Sequence, residues 1–190
     1  MLISLTALFK LNFQPAFVKG IKPEDLDKTI AYIKSLPHYD IEVDSICWHP
    51  APKTPTNTNN SWPIQCTNHT ADATVVNTRK VDYIAHKGLH TSNWNTDHFF
   101  NNTTEKEGEI KTKWGTSLAY TSLLDFIKEE DIKTIDVVGL PLEIEVKAFV
   151  QTALNHQLNV RVLCAGCLAF NTAQGLTTLK QLWQAGAEIN

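Results

Sequence analysis

Thr134-Ile135-Asp136-Val137-Val138-Gly139-Leu140-Pro141-Leu142-Glu143-Ile144-Glu145-Val146-Lys147-Ala148-Phe149-Val150 changes its hydrophobic period half-way along. Thr134 to Val138 is a short β-branched run of strand type, and Gly139 and Pro141 punctuate it. Val146, Phe149, Val150 and Ala153 then recur at the spacing of one helix face. A strand passing through a tight turn into an amphipathic helix is the building block of a parallel α/β sheet. The same form recurs outward in both directions. Strand candidates upstream are Leu2 to Leu8, Ile41 to Trp48 and Val81 to Ala85; downstream they are Val160 to Cys164 and a short one near Glu188-Ile189. Pro23 opens the first helix at its favoured initial position, with Leu26, Ile30 and Ile33 turned to the sheet. Tyr120, Leu123, Leu124 and Ile127 mark another helix, and Leu176, Leu179 and Leu182 a later one, each stripe read as core. The predicted fold is therefore α/β: a doubly wound, mostly parallel six-stranded sheet with helices on both faces. Its pocket should lie beyond the carboxyl ends of the strands.

The 190 residues fit one such domain, 1–190, with a full apolar core. Seventeen Lys+Arg against 20 Asp+Glu give a net charge of -3 without a basic stripe or an acidic tail, which argues against nucleic acid and membrane as partners. Met1 to Phe9 is apolar but has no basic leader and is interrupted by Lys10, so it reads as a first buried strand rather than a signal sequence. Four cysteines, Cys47, Cys66, Cys164 and Cys167, are too few for a disulfide scaffold; free thiols in the cytoplasm are the expectation. Two long connections, Pro50 to Thr78 and Gly88 to Gly115, are rich in Asn, Thr and aromatic residues, as loops that carry a site often are.

Cys47-Trp48-His49-Pro50 follows the second strand, and Ser61-Trp62-Pro63-Ile64-Gln65-Cys66 lies in the first long connection. His86-Lys87-Gly88 follows the third strand, and Gly139 to Ala148 forms the turn quoted above. In that order these segments resemble D-W-H-P, W-P-x-H-C, K-G and the nucleophile turn G-x-A-T-x-x-C-V-x-x-T of the nicotinamidase/isochorismatase-type cysteine hydrolases. Four such matches in series are specific for that fold.

The resemblance implies a chemistry of three groups: a Cys at a helix start that attacks an amide carbonyl, an Asp at the end of the first strand that moves protons, and a Lys that stabilises charge. Of these, only the Lys is kept, as Lys87. Aligning Phe13 with the Phe that follows the family's D-x-x-x-D puts Leu8 at the Asp position, and Glu145 stands at the Cys position. No Asp or Glu precedes Glu24, and no Cys lies between Cys66 and Cys164, so a shift of register restores neither group. Glu145 reads as a first-turn carboxylate favoured by the helix dipole and paired with Lys87. The family's metal ligands map onto Cys47, His49, Lys53 and Gln65. One remnant His cannot hold a divalent ion, so neither metal nor cofactor is expected; a substitute soft-metal site of Cys47, His49 and Cys66 is the minor alternative. Cys164-Ala165-Gly166-Cys167 reads as packed thiols, and His86, His90 and His98 as surface or loop residues. Phe13 and Trp62 match positions that flank a flat substrate ring, and with Pro141 and Leu142 they form the candidate ligand-binding set; packing of loops onto the sheet accounts for Phe13 and Trp62 equally well.

The resulting expectation is a non-catalytic relative of these hydrolases. It either binds a small aromatic or amide-like molecule or serves through homo-oligomer or partner contacts. The alternative is an active amide hydrolase with a rearranged site around Lys87 and Glu145.

Overall fold

The computed structural model describes residues 5–50, 66–88, 108–119 and 122–190. Strands β1 (Leu5–Leu11), β2 (Ile41–Cys47), β3 (Tyr83–Lys87), β4 (Gly108–Thr112), β5 (Ile132–Gly139), β6 (Asn159–Cys167) and β7 (Glu188–Ile189) form one sheet. Its order is β4-β3-β2-β1-β5-β6-β7, and every pairing is parallel except that of β4 with β3. The sheet thus has seven strands where six were expected. The added strand, β4, lies inside the second long connection. Gly108-Glu109-Ile110-Lys111-Thr112 has one apolar residue, enough for an antiparallel edge but too little for an apolar signal.

Five α-helices are described: α1 (Pro15–Val18), α2 (Pro23–Ser35), α3 (Leu123–Glu129), α4 (Lys147–Asn155) and α5 (Thr172–Gln184). Pro15 and Pro23 open α1 and α2, where a missing N–H costs nothing. Ser122 caps α3 by accepting the Asp125 N–H at 3.0 Å, and Asn171 caps α5 by accepting that of Gln174 at 3.1 Å. Alternation along β1 divides the core. Ala7, Phe9 and Leu11 face Phe126, Ile127, Phe149 and Val150, whereas Leu8 faces the layer of Phe17, Ile33 and Leu163. Among the described residues no helix is long and apolar enough to cross a membrane.

Three expectations change at this level. β1 runs to Leu11, so Leu8 sits inside the sheet, in register with Glu42 and Asp136, and is completely buried. Lys10 does not end the strand; it is 1% exposed because Glu42 and Asp44 of β2 face it. Leu176 is not core: it is 65% exposed at a cleft, while Leu182 of the same helix is buried.

Candidate functional site

β1, β2, β3 and β5 deliver their carboxyl ends to one rim beside the point where strand order reverses, the usual place for a site in such sheets. The nucleophile-turn segment is fixed there by the backbone. Leu140 N–H donates to Leu11 O at 3.1 Å, Leu168 N–H to Gly139 O at 3.0 Å and Leu142 N–H to Leu168 O at 2.8 Å. Gly139 has φ 155°, and a Cβ there would stand 2.6 Å from Leu11 Cβ, so the approach of β5 to β1 requires glycine. The expected helix start is a π-turn, Leu142–Val146, in which Ile144, Glu145 and Val146 all donate to the Pro141 carbonyl before α4 begins.

Glu145 projects from this turn, and its carboxylate meets the Lys87 ammonium in a direct ion pair. Both residues are buried, at 5% and 8% exposure. Burial alone would lower the Lys87 pKa; Glu145 and Cys47 overcome that and hold it above the usual range. Lys87 is aligned in register with Cys47 on the neighbouring strand.

Cys47 is held by more partners than its sequence context suggested. Gln14, fully buried at the start of α1, accepts the Cys47 N–H at 2.8 Å and donates to the Cys47 carbonyl at 2.9 Å; its Nε2 also donates to Ala73 O at 3.1 Å. Asn12, with φ 56°, brings Oδ1 to 3.6 Å from Cys47 Sγ. Cys66 and His49 also influence the same sulfur. The Cys66 contact above all, then Lys87 and His49, overcome burial and lower the Cys47 pKa to about 6, while Cys66 is raised by its contact with Cys47 and by burial. His49 stacks over Gly88: a Cβ on Gly88 would lie 2.3 Å from His49 Cε1, and φ is 77° there, so the K-G glycine has both a steric and a conformational reason.

The sequence-derived set is only partly gathered here. Lys87, Glu145, Cys47 and His49 converge. Leu8 lies below the rim, and the side chain that reaches Cys47 is Asn12, the residue just after β1. Phe13 is 2% exposed, packed in the same cluster as Cys47, Cys66 and Leu140. Pro141 is buried. Leu142 lines a separate cleft of about 940 Å³ between α2 and the β6–α5 connection, where Cys164 and Cys167 also open. Trp62, Lys53, Gln65, His90 and His98 lie outside the described residues. His86 is no surface residue: it is buried in β3 with its ring 4.9 Å from Trp48, and burial lowers its pKa to about 4, so it is neutral near pH 7. Gln14 was missed, although a polar residue just before the helix-opening Pro15 was a visible signal.

Solved structures with this architecture include PnC1 from L. infantum in complex with nicotinate. It has a TM-score of 0.71 and 19% identity over 98% of this chain and 92% of that one. The yeast nicotinamidase Pnc1p bound to the inhibitor nicotinaldehyde has 0.70 and 15%, over 97% and 99%. The pyrazinamidase of Pyrococcus horikoshii in complex with zinc has 0.66 and 17%, over 97% and 98%. The chain has the nicotinamidase fold. No protein-family model and no curated protein matches the sequence.

Within this nicotinamidase-like framework the residues do not suit a divalent cation. The thiol at the first position is engaged by Cys66, His49 and Asn12, and the Lys87 cation stands beside it. The further matching positions, Lys53 and Gln65, offer an ammonium and an amide. Protein purified without chelator is expected to carry well under one equivalent of Zn²⁺ by elemental analysis. Stoichiometric Zn²⁺ bound through Cys47 and Cys66 would establish the substitute soft-metal site instead.

Proposed function

We propose that this chain is a cytoplasmic member of the nicotinamidase/isochorismatase-like hydrolases that has lost their amide hydrolysis and keeps the scaffold for binding a small aromatic or amide-like molecule. The Lys87–Glu145 pair carries this reading. A carboxylate replaces the thiol of the nucleophile turn and is neutralised by the one kept cation, so that position offers no nucleophile of useful strength. A carboxylate attacking an amide would have to expel an amine to form an anhydride, which is uphill. Leu8 has no proton to move, and Asn12, the polar residue that follows β1 and reaches Cys47, is not a general base at neutral pH.

The purified protein is expected to release no ammonia from nicotinamide, with or without added Zn²⁺, Mn²⁺ or Fe²⁺. Turnover on the order of 1 s⁻¹ or faster would overturn the reading. Leu8→Asp combined with Glu145→Cys should recover little activity, since groups that act as a unit are not additive and Leu8 lies below the rim. Binding is read separately, as a rise in Tm with pyridine-type ligands at saturating concentration.

A further inference from the structure

The cleft of about 940 Å³ contains none of Lys87, Glu145 and Cys47, and its two walls differ in character. One wall is the turn from α1 to α2 and the first turns of α2. Lys19 and Lys22 stand on that turn, and Asp25, Lys28, Thr29 and Tyr32 follow at the spacing of one helix face. Three exposed ammoniums thus meet a single carboxylate, since Glu24 and Asp27 of the same helix do not line the cleft. The other wall is the end of β6 with the start of α5, and it is apolar: Leu168, Phe170, Leu176 and Leu179. Gly175 lets α5 sit directly on the chain before it, because a Cβ there would stand 2.7 Å from Ala169 Cβ. Phe170 and Leu176 still leave 46% and 65% of their surface open in this one cleft. Apolar surface left open beside a charged edge marks a place where a ligand is covered.

We propose that this cleft binds a free long-chain carboxylate, with its tail along the β6–α5 wall and its head among Lys19, Lys22 and Lys28. Charge selects the head. Three ammoniums against one carboxylate leave a positive excess that attracts an anion and repels a cation of the same shape. Size selects the tail. A cavity of about 150 Å³ already holds one benzene ring, so a cleft this large fits an extended aliphatic chain rather than a lone ring. The site goes beyond the function proposed above and does not rest on it. Leu142 is the one described residue of the sequence-derived ligand set that lines the cleft.

The test is calorimetric titration of the full chain with dodecanoate below its micelle-forming concentration, with N-ethylmaleimide labelling of Cys164, which opens into the cleft, as a second readout. Dodecanoate is expected to bind once per chain and to slow labelling of Cys164. Decanoate should bind roughly tenfold more weakly, the worth of two buried methylenes. Lys19→Gln/Lys22→Gln/Lys28→Gln should also weaken dodecanoate binding roughly tenfold, the sum of three exposed ion pairs. Leu176→Glu should weaken it by setting an anion against the tail, and the exposure of all four side chains keeps these variants folded. Lys180→Gln, on α5 but outside the cleft, should change nothing. Dodecyltrimethylammonium, with the same tail and a cationic head, should bind far more weakly than dodecanoate. The proposal is overturned if dodecanoate does not bind, if the cationic amphiphile binds equally well, or if binding leaves Cys164 labelling and the lysine and Leu176 variants unaffected. Lysine-dependent co-sedimentation with mixed phosphatidylcholine and phosphatidylserine vesicles would overturn it as well, because the face would then be a membrane contact.

Discussion

Lys10→Met is expected to lower the stability of the fold by about 3–5 kcal/mol, the cost of breaking a buried charge cluster from one side. Lys10 Nζ donates to the Lys80 carbonyl at 2.6 Å and stands 3.2 Å from Asp44 Oδ1 and 3.7 Å from Glu42 Oε2. Arg79 meets the other Glu42 oxygen at 2.8 Å, so Glu42 keeps one cation when Lys10 is lost while Asp44 loses its own. Burial already raises the Asp44 pKa, with Lys10 pulling against it. The pH dependence then has a definite sign. A carboxyl whose folded pKa is raised destabilises the fold above that pKa and is relieved as it protonates. Removing Lys10 raises it further, so the penalty should be largest at neutral and alkaline pH and should shrink as pH falls through the raised Asp44 value. Urea unfolding at several pH values measures this, and Asp44→Asn in the Lys10→Met background should recover part of the loss. A loss under about 1 kcal/mol at pH 7 would mean that water reaches the cluster and the charges are solvated.

That cluster also shows where sequence reading stops. A single lysine in an apolar run reads as the end of a strand, because nothing local distinguishes an interrupted run from a buried charge. The partners that keep Lys10 inside β1 are more than 30 residues away, in β2 and the segment before β3. Ile41-Glu42-Val43-Asp44 alternates like a strand with one wet face, yet both carboxylates are buried. The βα unit of β5 and α4 was legible because its period changes within a few residues, and β7 falls where a short last strand was expected. The approach of Glu145 to Lys87 followed from aligning two short segments with a known framework rather than from any local pattern. Cys47 was legible as a replaced ligand position, but its surroundings, Gln14, Asn12 and Cys66, are brought together only by the fold.

Lys87→Met should likewise cost about 3–5 kcal/mol, because it leaves the Glu145 carboxylate buried without its cation. Lys87→Met with Glu145→Leu should recover most of that loss, since two apolar side chains of similar size require no charge to be desolvated. The difference between the double variant and the sum of the singles is the coupling energy, and a contact this direct predicts a large one. The alkaline limb gives a second check. The Lys87 pKa is raised in the fold, so its contribution is complete below the unfolded lysine value of about 10.4 and disappears as pH climbs through the higher folded value. Wild-type stability should fall there more steeply than that of the double variant. Additive single and double variants would show that Lys87 does not hold the carboxylate. The rim would then be a set of packed side chains rather than an electrostatic unit.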